Sequence, residues 1–369
     1  MIKVDLITGF LGSGKTTFIK KYVRYLIDKG EKIGIIENDY GAINVDMMLL
    51  NEEFENECNI EMVVAADPDC HRRRFKTKLI AMGMDAANEG RYDRVIVEPS
   101  GIYDVDEFFD ILYEEPLDRF YEIGNVIAIV DAGLSDDLSK ESDYLLVSQI
   151  AEAGMVVFSK VEEENVSDGM SAKQDQEKIS DVIEHMNRAL ERFKCKRRFE
   201  FHNDSVSGDM LIKPWANLTA DDFGRVENCG YIPEDHIKIH VAEENGYKSL
   251  FYYHVKMSGE ELEDFAKGLF EDDSLGDVYR IKGFVPVGEG GSVDTGLTET
   301  DDGCCKASDW RYIQINATRE YTELNCTENG QEVIIVIGEN LDNEKIERYI
   351  RSFSHEEDIT AGQSNHTHK

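Results

Sequence analysis

The sequence predicts an α/β protein in two parts: an N-terminal domain with a mainly parallel sheet covered by helices, and a smaller C-terminal α/β domain. Three observations carry this. The run Val4 to Thr8 leads straight into Gly9-Phe10-Leu11-Gly12-Ser13-Gly14-Lys15-Thr16-Thr17, a complete G-x-x-x-x-G-K-T phosphate loop, after which Phe18, Ile19, Tyr22, Val23, Leu26 and Ile27 recur at helical spacing. Short runs rich in Val and Ile alternate with helical patterns, as strands buried on both faces do. Further strand and helix candidates follow a stretch of weak periodicity after residue 208. Strand, glycine loop and helix in this order make the N-terminal part a P-loop NTPase domain.

Taken in order, the first strand ends at the phosphate loop and the first helix stops at Lys29-Gly30. Lys32 to Ile36, Arg94 to Val97, Asn125 to Val130 and Met155 to Phe158 are the next strands. A polar excursion from Glu162 to Lys178 precedes a helix over about Ile179 to Phe193. Pro214, Gly224, Gly230 and Pro233 punctuate the next segment, which reads as an interdomain linker. The C-terminal part offers strands at Lys248 to Val255, Val278 to Val287, Trp310 to Ala317 and Glu332 to Ile337, and helices over Glu260 to Leu269 and Asn343 to Phe353. Gly288 to Ser308 reads as a long exposed loop. The resulting division is a P-loop domain over 1–207, a linker over 208–235, an α/β domain over 236–355 and a disordered tail over 356–369.

With 75 acidic and 40 basic residues, the chain carries a formal charge of −35. Long-range repulsion argues against nucleic acid or an anionic membrane surface as partner. No window approaches 18 continuous apolar residues and no signal-peptide pattern precedes the first strand, so a cytoplasmic location is expected. The seven cysteines are dispersed and odd in number, which suits reduced thiols.

The phosphate loop dictates its own chemistry. Gly9, Gly12 and Gly14 let successive backbone N–H groups turn inward toward phosphate oxygens, and the helix N-terminus adds its positive end. Ser13 lies within this cradle. Lys15 is expected to reach the β- and γ-phosphates, Thr16 to ligate Mg2+, and Thr17 to support the α-phosphate. Val95-Ile96-Val97-Glu98 is a strand ending in an acid, placed to face the magnesium, and Gly101 can bring an N–H to the γ-phosphate. Asp39 is a candidate for orienting the attacking water.

Ser159-Lys160-Val161-Glu162, at the end of a buried strand, resembles the guanine-recognition motif Asn-Lys-x-Asp. There the lysine stem packs on the base and the carboxylate accepts two hydrogen bonds from guanine. Ser159 replaces the usual Asn and Glu162 adds a methylene. The nucleotide expected is therefore GTP.

Together these pieces resemble the CobW-like GTPase family, relatives of the nickel-insertion GTPases of hydrogenase and urease maturation. Thr8 to Thr17 match the family's T-G-F-L-G-x-G-K-T-T. Glu37-Asn38-Asp39-Tyr40-Gly41 match its E-N-E-F-G, Glu98 to Gly101 its E-x-x-G, and Val130-Asp131-Ala132 its V-D-A. In the C-terminal part, Gly276 to Val285 is similar to G-x-x-x-R-x-K-G, and Ile337 to Asp342 to I-G-x-N-L-D. The resemblance implies a P-loop GTPase with slow hydrolysis coupled to metal delivery or metallocofactor assembly. A client metalloprotein or assembly partner comes with it, while monomer or homodimer stays open.

One departure stands out. The family's thiolate motif G-C-x-C-C is replaced by Ala66-Asp67-Pro68-Asp69-Cys70, and Ala42 stands where an acid often follows E-F-G. Glu37, Asp67, Asp69 and Cys70 remain as candidate cargo-metal ligands, an oxygen-rich set that shifts preference toward harder or borderline ions among zinc, cobalt, nickel, iron and manganese. The competing reading is a site that has lost metal binding, in which Asp67 and Asp69 would pair with Arg72-Arg73-Arg74 as a solvated charge cluster. Glu37 to Asp46 and Asp67 to Arg74 are the expected switch segments. Two further readings stand beside the metallochaperone: a GTP-dependent client chaperone without cargo metal, and a P-loop small-molecule kinase.

Overall fold

A computed structural model of the chain describes residues 1–10, 12–38, 50, 53–54, 57–63, 68–99, 105–136, 138–161, 171–201, 206–239, 247–286, 311–319, 321–328, 330–353 and 360–363. It divides into two compact units, one of Met1–Tyr40 with Leu49–Val241, the other built on Ala242–Lys369.

In the first unit, β1 (Ile2–Gly9) is buried along nearly its whole length. Gly14, in a left-handed backbone conformation, starts the helix Lys15–Asp28, which turns Phe18, Ile19, Tyr22, Val23 and Leu26 inward as the 3.6-residue period predicts. These side chains share one core cluster with Ile7, Ile35, Ile96, Ile127 and Val157 of the sheet. The remaining strands are β2 (Ile33–Asn38), β3 (Asn59–Val63), β4 (Arg94–Pro99), β5 (Tyr121–Asp131), β6 (Met155–Ser159), β7 (Val206–Ser207) and β8 (Met210–Leu211). Their order is β3-β2-β4-β1-β5-β6-β8-β7, parallel except for the β7–β8 pair. Parallel pairing has a direct consequence: β1, β2, β4, β5, β6 and β8 all end on one edge, where open α/β sheets bind ligands.

Three segments differ from the sequence expectation. Asn59–Val63 adds the edge strand β3, which a short, half-exposed run did not announce. Asp69 to Arg74, expected as a switch loop, lies in the helix Pro68–Glu89, whose first residue is a proline that needs no N–H partner there. Its basic first turns mask the apolar period. Residues 208–235, expected as linker, belong to the first unit. Met210–Leu211 pairs with β6, and the helix Ala220–Glu227 is started by a reciprocal capping box between Thr219 and Asp222 and buries Phe223 and Val226 in the β1 cluster. The prolines and glycines mark turns between these short elements.

A buried polar network joins these parts. Asp5 is fully buried and accepts from Arg94 Nη1 (2.7 Å), Tyr22 OH (2.9 Å), and the backbone N–H (2.9 Å) and Nδ2 (3.0 Å) of Asn125. Arg94 Nε also donates to Glu31 Oε2 at 2.9 Å. Burial holds the Asp5 carboxyl above its ordinary value, against the opposing pull of Arg94 and the hydrogen bonds.

The second unit contains β9 (Tyr247–Tyr253), β10 (Asp277–Pro286), β11 (Tyr312–Ala317), β12 (Thr322–Thr327), β13 (Val333–Glu339) and β14 (Thr360–Gln363). They form an antiparallel sheet ordered β12-β11-β10-β13-β9-β14. The helix Gly259–Glu271, opened by a Ser258–Glu261 capping box, and the helix Asn343–Phe353 bury Leu262, Phe265, Leu269, Ile346 and Ile350 with Tyr252, Val278, Ile315, Ile334 and Val336. Thr360–Gln363 lies within the expected tail, yet pairs with β9 through backbone hydrogen bonds that need no side-chain pattern. Among the described residues no helix is long and apolar enough to cross a membrane.

Candidate functional site

The site is built where the parallel strands end. Gly12 and Gly14 have φ of 75° and 90°, so the chain doubles back after β1 before entering its helix. Gly12 and Ser13 are buried and Thr17 is exposed on the first turn. Lys15 is buried, and its Nζ donates to the carbonyls of Gly9 (3.1 Å) and Phe10 (3.5 Å), placing the ammonium within the loop.

Thr16 Oγ1 donates to Glu98 Oε1 at 2.9 Å. This contact follows from the strand order: β4 lies beside β1, so the acid ending β4 meets the second residue of the loop's helix. Glu37, next to last in β2, is aligned with Glu98 in the adjacent strand, and both carboxylates are buried, at 2% and 5% exposure. One edge thus gathers an ammonium, a hydroxyl and two carboxylates. That is chemistry for a phosphorylated ligand accompanied by a hard divalent cation.

The next two strand ends belong together. Ser159, buried at the end of β6, aligns with Asp131 at the end of β5, and Ala132 N–H donates to Ser159 O at 3.0 Å. Lys160 then takes φ of 53° and its Nζ forms an ion pair with Asp131 Oδ2. This fixes the lysine stem across the ends of both strands. Asp131 was visible in the sequence as part of a motif, whereas its pairing with Lys160 depends on the adjacency of β5 and β6.

Asp39, Ala42, Asp67, Gly101 and Glu162 lie outside the described residues, as do the side chains of Asp69 and Cys70. Arg72 pairs with Glu114 (2.5 Å). Among the described residues no three or more His, Cys, Asp or Glu side chains gather to hold a metal ion. Cys58 and Cys229 are thiols pushed by burial up to about 11 and about 12 respectively, and so are protonated at neutral pH.

Sequence reasoning missed Trp215. It lies just beyond β8, after Ile212-Lys213-Pro214, and its Nε1–H donates to Phe158 O at 2.9 Å while its ring packs 5.7 Å from that of Phe18. The strand Met210–Leu211 is two residues long, too short for periodicity to reveal that the following Lys213-Pro214-Trp215 returns to the ligand edge.

A family model described as the CobW/HypB/UreG nucleotide-binding domain matches residues 3–193, just over half of the chain. The zinc chaperone YjiA of Escherichia coli is 28% identical over 166 residues, which cover 44% of this chain and 50% of that protein. The zinc-regulated GTPase metalloprotein activator 1 of Dictyostelium discoideum is 26% identical over 324 residues, covering 77% of this chain and 62% of that protein. The chain therefore spans about half to three fifths of the length of these two relatives. Among solved structures, zinc(II)-bound YjiA GTPase from E. coli is similar with 16% identity and a TM-score of 0.30, covering 95% of this chain and 98% of that one.

Proposed function

Because the chain belongs to the CobW/HypB/UreG family of nucleotide-binding proteins, we propose that it binds GTP with Mg2+, hydrolyses it slowly, and couples that cycle to metal delivery or metallocofactor assembly. The observation that carries this reading is the Thr16–Glu98 hydrogen bond at the mouth of the phosphate loop. A hydroxyl and a carboxylate in contact there supply two hard oxygen donors, the set Mg2+ selects. When bound, the ion offsets negative charge on the transferred phosphoryl group.

The residues of the chain divide the remaining work. Backbone N–H groups of Gly12, Ser13 and Gly14 cradle the phosphates, and Thr17 supports them from the first turn. Lys15 exchanges the carbonyls of Gly9 and Phe10 for phosphate oxygens, a move of one ammonium within a single loop. Gly101 offers an N–H to the γ-phosphate and Asp39 orients the attacking water. Ser159, Lys160 and Glu162 select guanine, with Lys160 held in place by Asp131. Glu37 to Asp46 and Asp67 to Arg74 change order with the γ-phosphate and transmit the nucleotide state.

In this reading the cargo ion is held by Glu37, Asp67, Asp69 and Cys70. Relatives named as zinc proteins support testing zinc first, with cobalt, nickel, iron and manganese alongside. The decisive experiment titrates these ions into GTP-loaded protein, comparing wild type with an Asp67, Asp69, Cys70 triple alanine variant. Tighter binding and an ion-dependent GTPase rate in wild type are expected. Equal binding and equal rates would end the cargo role of this segment.

A second reading, a GTP-dependent chaperone of a client protein without cargo metal, draws on the replacement of two family thiolates by Asp67 and Asp69. It gains from that same equality. A small-molecule kinase is disfavoured by Ser159-Lys160-x-Glu162, and ATP outcompeting GTP would restore it.

A further inference from the structure

Trp215 stands at a junction that the phosphate loop and the base segment share. Its Nε1–H is bonded to the carbonyl of Phe158, the residue immediately before Ser159 and Lys160. The far side of the ring faces the loop: a β-carbon placed on Gly14 would lie 3.1 Å from Trp215 Cη2, 3.4 Å from its Cζ3 and 3.8 Å from Ser159 Cβ. The turn of the phosphate loop is therefore enclosed between the indole and the end of β6. Phe18, on the helix that the loop begins, packs against the same ring at 5.7 Å between centroids. Trp215 itself is half-buried, held by a backbone acceptor on one side and by two elements of the loop on the other.

Two rigid pieces must keep a fixed separation if one nucleotide is to be held by its phosphates and read by its base. Lys15 and Thr16 belong to the first piece, Ser159 and Lys160 to the second, and β1 and β6 are separated in the sheet by β5. A planar aromatic ring with two soft torsions is a stiff spacer, and its one polar atom sets the register by a single directed hydrogen bond. We propose that Trp215 is a positioning residue for the nucleoside: it sets the distance between the phosphate loop and the Ser159–Lys160 segment, so that base discrimination, rather than phosphate affinity, depends on it. The proposal rests on the nucleotide reading above.

The test compares magnesium-dependent binding of GTP, ATP and inorganic tripolyphosphate by calorimetry in wild type, Trp215→Phe and Trp215→Ala. Trp215→Phe keeps an aromatic side chain but loses the bond to Phe158 and the outer ring edge, Cη2 and Cζ3, that faces Gly14. A net hydrogen bond of about 0.5–1.5 kcal/mol corresponds to roughly twofold to tenfold in binding. The GTP-to-ATP preference is expected to fall by that factor in Trp215→Phe and further in Trp215→Ala, with tripolyphosphate affinity within about twofold of wild type. If Trp215→Ala does not fold, Trp215→Phe decides. A full GTP preference in Trp215→Phe, or an equal loss for all three ligands, overturns the proposal and leaves Trp215 a support of the fold. Wild-type protein that binds no GTP overturns the nucleotide reading itself, a result distinct from both.

Discussion

Gly14→Ala and Gly30→Ala form a matched pair, since both glycines have φ of 90° but different surroundings. Gly30 follows the end of the first helix, donates to Ile27 O at 2.8 Å, and a β-carbon there meets nothing within 4 Å. Its replacement carries only the left-handed backbone penalty, about 1–2 kcal/mol. Gly14→Ala carries that penalty and also brings a methyl to 3.1 Å from Trp215 Cη2, on a ring tethered to Phe158. Displacing such a ring adds about 1–3 kcal/mol, for a total of about 2–5 kcal/mol. At about 2–4 °C per kcal/mol for a unit of this size, Gly30→Ala should lower the melting temperature by roughly 2–8 °C and Gly14→Ala by roughly 4–20 °C. Thermal melts by circular dichroism, with GTP calorimetry on both variants, make the comparison. Gly14→Ala should also weaken GTP binding, whereas Gly30→Ala should not. Equal melting shifts in the two variants, with wild-type GTP affinity in both, would refute the packing of Trp215 on the phosphate loop.

Lys15→Ala should remove tight GTP binding, a loss of up to ~100-fold from the charge-assisted phosphate contacts, and unchanged affinity by calorimetry would sink the nucleotide assignment. Glu98→Gln should raise the Mg2+ concentration needed for half-maximal GTP hydrolysis by about tenfold or more, which a magnesium titration of the rate measures. Arg94→Met leaves Asp5 buried without its guanidinium and should cost about 3–5 kcal/mol at neutral pH. Asp5 already has its folded value raised above the ordinary 3.8, so its protonated form favours the fold and stability falls as pH rises from the unfolded value through the folded one. The variant's deficit should therefore shrink on acidification from pH 8 to pH 5, and melts showing a constant or growing deficit contradict this. Alkylation of the native protein at pH 7.5 should spare Cys58 and Cys229 relative to the unfolded chain, because their burial keeps them protonated.

Much of the chemistry was legible in residue order alone. The phosphate loop, Glu98 at a strand end and Ser159-Lys160 at another each occupy a few contiguous residues, so local spacing reveals them. The long buried strands and the helices Lys15–Asp28 and Asn343–Phe353 follow from apolar periodicity. Some elements were not legible: β3 is half-exposed and carries no buried apolar run, β8 has two residues and β14 four, and their pairing comes from neighbours far along the chain. The antiparallel pairing of the second sheet was likewise set by partners rather than by any one strand.

The sequence by itself determined a P-loop domain and singled out the candidate groups for phosphate, magnesium and guanine, because each lies in a local motif. Only the tertiary structure decided which groups meet. The order β4-β1-β5-β6-β8 brings Thr16 to Glu98, Lys160 to Asp131 and Trp215 to Gly14, across separations of 82, 29 and about 200 residues. Those contacts arise from parallel strands ending on one edge, a consequence of backbone pairing over the whole sheet that no stretch of neighbouring residues encodes.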